Sequence, residues 1–420
     1  MSAMNTPTSA WMTGLPQLTT PAATLREPDA FDAEPLWRRL ATDEVGRSMS
    51  APPGTSDGFR RFFDWAWRER AVGGCLCYAI VPAGQREPVG LIQVRSLAPG
   101  FEMAEWGFAI SKKYWGTGLF VEAASAVADF LFRHVGVQRL EARVASAGGR
   151  AAGALAKLGA EAEGVLRQAF ERSSERSDQI LWALNREVWF SRVAHPTTVV
   201  GPTETRGDVS AIVEPGKARR NWVESPGVVT GERCVLRSLI EEDAPLLASL
   251  LSAPAVIRFL APPPNGVTGF RQFIRWTQQQ REVGRSVVFG IVPAGMDRAV
   301  GFFQFHSMNH PLGVAEWGFL LGEPYWGTGL FPAAAALMLQ FTFETLNVRR
   351  LEARAPLNNH RGNRALRKLG MTPECRLRRS SLVEDPSHDV VLWSLLADEW
   401  RTPSTRHVLI ATSGPASLAS

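Results

Sequence analysis

Hydrophobic residues in the second half of the chain alternate between helical and extended spacing. Residues 234–237 predict a short strand, and 241–251 an amphipathic helix that begins with acids suited to a helix amino end. Residues 269–282 predict a second helix, with Phe270, Phe273, Ile274 and Trp276 on its apolar face. β-rich runs at 286–292 and 299–305 flank a turn at Pro293, Ala294 and Gly295, and 314–321 predicts a third strand. An Ala-, Leu- and Phe-rich helix follows over about 332–346, then a strand at 350–355, a helix over about 361–369 and a late strand at 389–395. Helices interleaved with strands in this order predict an α/β (α+β) domain, a mixed sheet flanked by helices.

The pattern occurs twice. AEWGF at 104–108 returns at 315–319, YWGTGLF at 114–120 returns at 325–331, and RLEAR at 139–143 returns at 350–354. VPAG, KLG, Trp182/Trp393 and Trp189/Trp400 obey the same offset of 211, with no gap between Leu25 and Trp189. Each copy is long enough for its own core, so the chain is a tandem pair of complete domains, expected at 18–190 and 230–401. Residues 191–229 have the scattered Pro, Gly and Thr of an extended linker, and 1–17 and 402–420 are expected to be poorly ordered tails. Trp65/Trp276, Trp182/Trp393 and Trp189/Trp400 recur inside apolar patterns, where core packing is expected.

Composition narrows the function by exclusion. A formal charge of +5 in 420 residues, with no basic run interleaved with aromatics, argues against nucleic acid. No apolar segment is long enough for a membrane span. Cys75, Cys77, Cys234 and Cys375 have neither CxxC spacing nor disulfide-scaffold density, which fits structural thiols in a reducing compartment and a cytoplasmic location. The seven histidines contain no HExxH, and no metal is expected.

The most informative segment is strand, glycine turn and helix. Gly327 and Gly329 let backbone N–H groups approach a ligand, and the following helix amino end adds positive potential, a combination suited to pyrophosphate. A plain tight turn is the competing account of GTG, although both copies keep the turn between strand and helix. With Glu316–Trp317–Gly318–Phe319 before it, and Asn359 leading to the Lys-Leu-Gly motif ending at Gly370, the chain resembles the GCN5-related N-acetyltransferase superfamily, in its ribosomal-protein N-terminal acetyltransferase-like branch. The resemblance covers essentially all of each copy.

What the resemblance implies is an acyl-CoA fold in which the strand of Glu316 splays from the strand of Glu352. The pantetheine arm of acetyl-CoA would meet backbone at Leu320 and Leu321, or at Ala109 and Ile110 in the first copy. Pyrophosphate would sit on the N–H groups of Trp326, Gly327, Thr328, Gly329, Leu330 and Phe331, matched by Trp115, Gly116, Thr117, Gly118, Leu119 and Phe120. Asn359 and Asn363 match the cofactor-side asparagine region. Glu316 and Glu105 match a family base position, and a glutamate there can take the amine proton through water. The alternative is an ion pair across the sheet with Arg354 or Arg143.

Departures from the family pattern matter as well. Leu366 and Leu155 stand where many relatives place a tyrosine acid, Gly362 where a serine is common, and Phe331 and Phe120 where an alanine is usual. Gly148 and Ala152 replace Asn359 and Asn363 in the first copy, so the second is expected to be the better catalyst and the first degenerate or regulatory. The resemblance implies acetyl transfer to a primary amine, with a protein or peptide N-terminal α-amine favoured; small-molecule amines and a non-catalytic acyl-CoA sensor or scaffold are the alternatives. The two domains of such a chain are expected to pack as an intramolecular pseudo-dimer.

Overall fold

The computed structural model describes residues 9–42, 45, 53–172, 175–192, 198–202, 227–259, 264–282, 286–307, 313–380, 389–401 and 417–419. The chain divides into two compact units, Met1–Val213 and Glu214–Ser420. In the first, β1 (Pro16–Thr19), β2 (Ala23–Arg26), β3 (Cys75–Pro82), β4 (Gly90–Ser96), β5 (Met103–Ile110), β6 (Arg139–Ala145), β7 (Glu161–Arg172), β8 (Glu175–Asn185) and β9 (Thr198–Pro202) form a sheet. Its order is β9-β1-β2-β3-β4-β5-β6-β8-β7, antiparallel throughout except for the parallel pair β5–β6.

The second unit repeats this with β10 (Val228–Thr230), β11 (Cys234–Ser238), β12 (Ser286–Pro293), β13 (Gly301–Ser307), β14 (Val314–Leu321), β15 (Arg350–Pro356), β16 (Thr372–Leu377), β17 (Val390–Leu396) and β18 (Ser417–Ala419). Their order is β18-β10-β11-β12-β13-β14-β15-β17-β16, and β14–β15 is the parallel pair. A mixed sheet flanked by helices, twice over, is the architecture expected from the sequence.

Both faces of the second sheet are covered. Phe289, Phe303, Trp317 and Trp393 pack beneath the helix Leu330–Gln340, while Val288 and Phe302 on the other face meet Leu247 and Leu251 of the helix Ala244–Leu251 and Ile274 of the helix Gly266–Glu282. A strand covered on both sides needs no polar alternation, which is why β12 is one apolar run.

Several elements differ from the sequence-based expectations. The helix expected to 346 changes to a π-helical turn at Phe341–Thr345. β16 and its counterpart β7 were not expected: in β16, Pro373, Glu374 and Arg376 break the apolar pattern, and the register with β17 shifts between Pro373 and Cys375. The supposed amino tail is packed from Ser9 onward, because Trp11 and Leu15 are buried and the Trp11 ring meets Phe101 edge-on at 5.2 Å. Strands β9 and β18 stand inside the segments read as linker and tail; most of 191–229 and all of 402–416 lie outside the described residues. Trp189, Trp393 and Trp400 are core residues as expected, but Trp276 is 41% exposed and Trp65 and Trp182 are only half-buried.

Each unit buries the same ionic triad beside its parallel pair. Arg350 donates to Glu352 at 2.8 Å through Nε and to Glu374 at 3.0 and 2.5 Å through its two terminal nitrogens, all three side chains being almost wholly buried. Arg139, Glu141 and Glu163 repeat this arrangement, with bonds of 2.6–3.2 Å. Burial works against the Arg350 charge, yet the two carboxylates hold its pKa above the ordinary value. Losing the cation would leave buried carboxylates uncompensated, which costs about 3–5 kcal/mol. Arg350→Met is therefore expected to destabilise the second unit by about that amount in denaturant titration, and Arg139→Met the first unit likewise.

A second ionic anchor lies at the β11 end. Arg237 grips Asp243 with two 2.8 Å bonds, and Asp243 also accepts the N–H groups of Ile240 and Ala299 at 2.9 Å. Burial raises the Asp243 pKa, but these donors outweigh it and hold the carboxyl below its ordinary value. A lowered native pKa stabilises above the unfolded value, and the contribution is lost as pH falls through the native one. Asp243→Asn is accordingly expected to flatten the acid limb of the second unit's unfolding curve below about pH 4, measured by thermal melts across pH.

Candidate functional site

The parallel pairing of β14 with β15 covers only Val314–Trp317 against Arg350–Ala353. Beyond it β14 continues through Gly318, Phe319, Leu320 and Leu321, paired on its other side with β13. In the first unit β5 and β6 likewise part after Glu105 and Glu141, while β5 runs on to Ala109 and Ile110. This is the splay that the family resemblance implied. It leaves β14 from Gly318 to Leu321 without a strand partner on the β15 side among the described residues.

The glycine turn closes the end of that gap. Gly327 and Gly329 have φ of 76° and 85°, and Gly116 and Gly118 have 76° and 88°, left-handed values that favour glycine. A Cβ at Gly327, Gly116 or Gly118 would meet nothing within 4 Å, whereas one at Gly329 would fall 2.7 Å from Arg233 Nη1, which also donates to the Thr328 carbonyl at 3.2 Å. Thr328 and Thr117 are exposed at its crest, with their hydroxyls donating to Tyr325 and Tyr114 carbonyls at 2.8 Å. Leu330 and Leu119 are buried at the helix start, and Phe331 and Phe120 pack on Phe319 and Phe108 with centroids 4.6 and 4.4 Å apart. Trp326 and Trp115 differ from the expectation of backbone donors: their N–H groups bond Glu323 and Lys112 carbonyls at 3.0 and 3.1 Å.

Those two tryptophans act instead through their side chains. Trp326 Nε1 donates to the Leu321 carbonyl at 2.8 Å, and Trp115 Nε1 to Ile110 at 3.0 Å, tying the turn to the end of the splayed strand. Arg361 lies over the Trp326 ring at 3.9 Å and Arg150 over Trp115 at 4.8 Å, cation–π contacts that sequence inspection did not single out.

Glu316 sits on β14 at the point of divergence, with Arg354 Nε 3.5 Å from Oε2. Glu105 is 3.0 Å from Arg95 Nη2 and 3.6 Å from Arg143 Nε. The cross-sheet ion pair named as the alternative is therefore present in both units. The Glu316 side chain nevertheless keeps 24% of its surface exposed, against 15% for Glu105.

The asparagines are engaged within the fold. Asn359 caps the helix His360–Lys368, accepting the Gly362 N–H at 2.9 Å. A Cβ on residue 362 would fall 2.8 Å from Asn359 Nδ2, which accounts for Gly362. Asn363 donates to the Pro356 and Asn359 carbonyls and accepts from Trp393 Nε1 at 2.9 Å. In the first unit Ala152 replaces it, and the buried Trp182 Nε1 meets no acceptor.

A groove of about 580 Å³ lies on the second unit's helix Gly266–Glu282, lined by Pro264, Asn265, Thr268, Gln272, Phe273 and Trp276, with no charged side chain among the described residues that line it. Residues 260–263, just before Pro264, lie outside the described residues. Among the described residues no cluster of three His, Cys, Asp or Glu could hold a metal, and no helix is long and apolar enough to cross a membrane.

Comparison with known proteins gives the same division. The family described as acetyltransferase (GNAT) domain matches residues 23–161 and again 233–372. The uncharacterized N-acetyltransferase p20 of Bacillus licheniformis is 29% identical over 170 residues, 40% of this chain and 96% of its own length. The putative ribosomal N-acetyltransferase YdaF of Bacillus subtilis is 25% identical over 175 residues, 40% of this chain and 94% of that protein. Among solved structures, Mycobacterium smegmatis RimJ in complex with CoA-disulfide aligns with a TM-score of 0.41 at 24% identity, over 46% of this chain and 98% of that one.

The Trp393–Asn363 bond and its absence in the first unit generate a paired expectation. Asn363→Ala orphans a buried indole N–H, a loss of about 1–3 kcal/mol. Ala152→Asn offers Trp182 the acceptor it lacks and is expected to raise the first unit's melting temperature. Differential scanning calorimetry of both variants measures the two shifts.

Proposed function

The chain belongs to the acetyltransferase (GNAT) domain family and is an N-acetyltransferase, and from that premise we propose that it transfers the acetyl group of acetyl-CoA to a protein or peptide N-terminal α-amine, chiefly in its second domain. The observation that carries this reading is the splayed strand pair ending at a left-handed glycine turn. Acetyl-CoA fits that arrangement. The free edge at Leu320 and Leu321 suits an amide-bearing arm, and the N–H groups of Gly327 to Phe331 at the amino end of the helix Leu330–Gln340 suit pyrophosphate. Ala109, Ile110 and the turn from Gly116 to Phe120 offer the same groups in the first domain.

Bound acetyl-CoA supplies the activated carbonyl. Glu316 takes one proton from the ammonium through water, leaving a neutral nitrogen with its lone pair available. The C–N bond forms as the C–S bond breaks with its electron pair on sulfur, and the second proton leaving nitrogen balances the one the thiolate takes up from water. No tyrosine stands at 366 or 155 to act as acid, so water fills that role. A partly exposed, ion-paired carboxylate is a modest base. That suits an α-amine near pKa 7.7–8.0 better than a lysine near 10.4.

The uncharged groove beside Phe273 and Trp276 favours an extended peptide over a polycation. Similarity to a protein named as a ribosomal N-acetyltransferase points to the same acceptor class. The buried thiols support a reducing, cytoplasmic setting, with burial pushing Cys75 up to about 12 and Cys234 to about 11. The first domain retains the turn but has Gly148 and Ala152 in place of the asparagines, which favours a weakened or regulatory acyl-CoA site there.

Calorimetric titration of acetyl-CoA into the full chain and into Gly329→Glu tests the cofactor assignment. Loss of one site in the variant is expected, and no binding to folded wild type overturns the reading. Glu316→Gln is expected to lower kcat by about 100-fold or more. Unchanged turnover in that variant, with abolition by Glu105→Gln, would reverse the assignment of domains. Turnover confined to amine metabolites in a panel that includes peptides would remove the α-amine acceptor.

A further inference from the structure

The hairpin beside the glycine turn differs between the copies in its side chains, while its backbone bonds are the same. In the second unit Gly231, Glu232 and Arg233 join β10 to β11. The Gly231 N–H donates to the Cys234 carbonyl at 3.0 Å, and the Ala294 N–H to the Arg233 carbonyl at 2.8 Å. In the first unit Thr20, Pro21 and Ala22 join β1 to β2, with the Thr20 N–H on the Ala23 carbonyl and the Ala83 N–H on the Ala22 carbonyl, both at 2.8 Å. These are the same two bonds, displaced by the offset of the repeat. The loop is held alike in each fold, and it carries an arginine in one copy and an alanine in the other.

Arg233 reaches from this hairpin onto the glycine turn. Its Nη1 donates to the Thr328 carbonyl at 3.2 Å and lies 2.7 Å from where a Cβ on residue 329 would stand. Among the described residues the guanidinium makes this one hydrogen bond; the side chain is exposed, and its other N–H donors are available to a ligand. In the first copy nothing lies within 4 Å of the corresponding position on Gly118. There Glu122, in the first turn of the helix Leu119–Phe130, accepts the Ala22 N–H at 2.7 Å. Its counterpart in the second copy is Ala333.

We propose that Arg233 is a cofactor-binding residue of the second domain, its guanidinium pairing with a pyrophosphate oxygen of acetyl-CoA on the glycine turn, and that the exchange to Ala22 and Glu122 leaves the first domain without that grip. The inference rests on the reading of the turn as an acetyl-CoA site. Backbone N–H groups at a helix amino end attract an anion through partial charges; a guanidinium adds a full charge and a fork of donors matched to phosphate oxygens. The bond to Thr328 holds the long side chain over the turn before the ligand arrives, which reduces the entropy lost on binding. Glu122 acts in the opposite sense. A carboxylate in the first helical turn stabilises the helix, and it repels an anion drawn to the same positive end.

Other charges near the turn do not sort the copies in this way. Arg361 over Trp326 and Arg150 over Trp115 are common to both. Lys112 and Lys113 precede the turn in the first copy where Glu323 and Pro324 do in the second, and Glu232 stands where the first copy has Pro21. Net charge around the turn therefore does not favour the second domain. What favours it is a contact: Arg233 is hydrogen-bonded to the turn itself, at the residue between the two glycines.

The test is calorimetric titration of the full chain with acetyl-CoA and with acetyl-dephospho-CoA, which keeps the pyrophosphate and lacks the ribose phosphate, each over a range of salt. A Gly118→Glu background blocks the first turn, so the second site is read alone. Arg233→Ala is expected to weaken both ligands about tenfold or more and to flatten the salt dependence of their binding. Arg233→Lys, which keeps the charge and loses the fork, is expected to fall between the two. In a Gly329→Glu background, where the first site is read alone, Ala22→Arg combined with Glu122→Ala is expected to tighten acetyl-CoA about threefold or more; this arm does not depend on Arg233→Ala folding. Unchanged affinity in folded Arg233→Ala overturns the proposal. So does a loss of affinity with the salt dependence as steep as before, since the arginine would then be a strut for the hairpin and no phosphate contact would have gone. A loss confined to acetyl-CoA and absent with acetyl-dephospho-CoA overturns the pyrophosphate contact, and no gain from the paired exchange overturns the account of the first domain. Failure of the folded wild-type chain to bind acetyl-CoA strikes the cofactor reading itself.

Discussion

Everything proposed for this protein depends on a parallel strand pair that stops pairing halfway. β14 and β15 share a ladder only as far as Trp317 and Ala353, and β5 and β6 only as far as Glu105 and Glu141. Backbone N–H and C=O groups demand partners, so an unzipped strand edge next to a covered core is a standing invitation to a ligand that carries amides of its own. The Trp326 indole satisfies the Leu321 carbonyl and Trp115 the Ile110 carbonyl, capping the free edge at its end. That bond also sets where the glycine turn begins. One side chain thus joins the strand edge to the glycine turn.

Holding two strands apart requires that their outer partners be firmly held. On one side β14 stays paired with β13 to its last residue, Gly301 opposite Leu321. On the other, β15 is fastened along its whole length to β17, and the Arg350–Glu352–Glu374 triad spans from β15 to β16 beneath that ladder. A buried ion cluster of this kind is costly to assemble and no more stabilising than apolar packing of similar volume, but removing one member is severe. Its place beside the divergence makes it a register device: it pins Glu352 at the level of Glu316, one residue before the ladder ends.

The repeat made most of the fold legible from sequence, because two diverged copies show which positions tolerate change. The turn and most of the order of elements were readable from the repeated strings, and the splayed pair was implied by the family resemblance they carry. What was not readable lacked periodicity. β16 hides behind Pro373 and a bulge, Trp11 packs from a polar segment, and Trp276 sits on an apolar helix face but lines a groove. The site was legible as residue identities and less so as roles. Asn359 and Asn363 could be located by motif, yet a helix cap and an indole acceptor are properties of geometry, and neither leaves a spacing signature.

Substitutions between the copies are not spread evenly over these parts. The triad, the turn glycines, the anchoring tryptophans and the glutamates are the same in both, so the device that opens the sheet is kept whole twice. Changes fall on the asparagines and on the arginine beside the turn. The first of these costs stability, because Ala152 leaves the Trp182 indole without the acceptor that Asn363 gives Trp393. A domain freed only from chemistry would have had no reason to accept that loss while keeping the open turn of Gly116 and Gly118. Retention of the turn beside that loss accords with the proposal that the first domain is a weakened or regulatory acyl-CoA site and the second the catalyst.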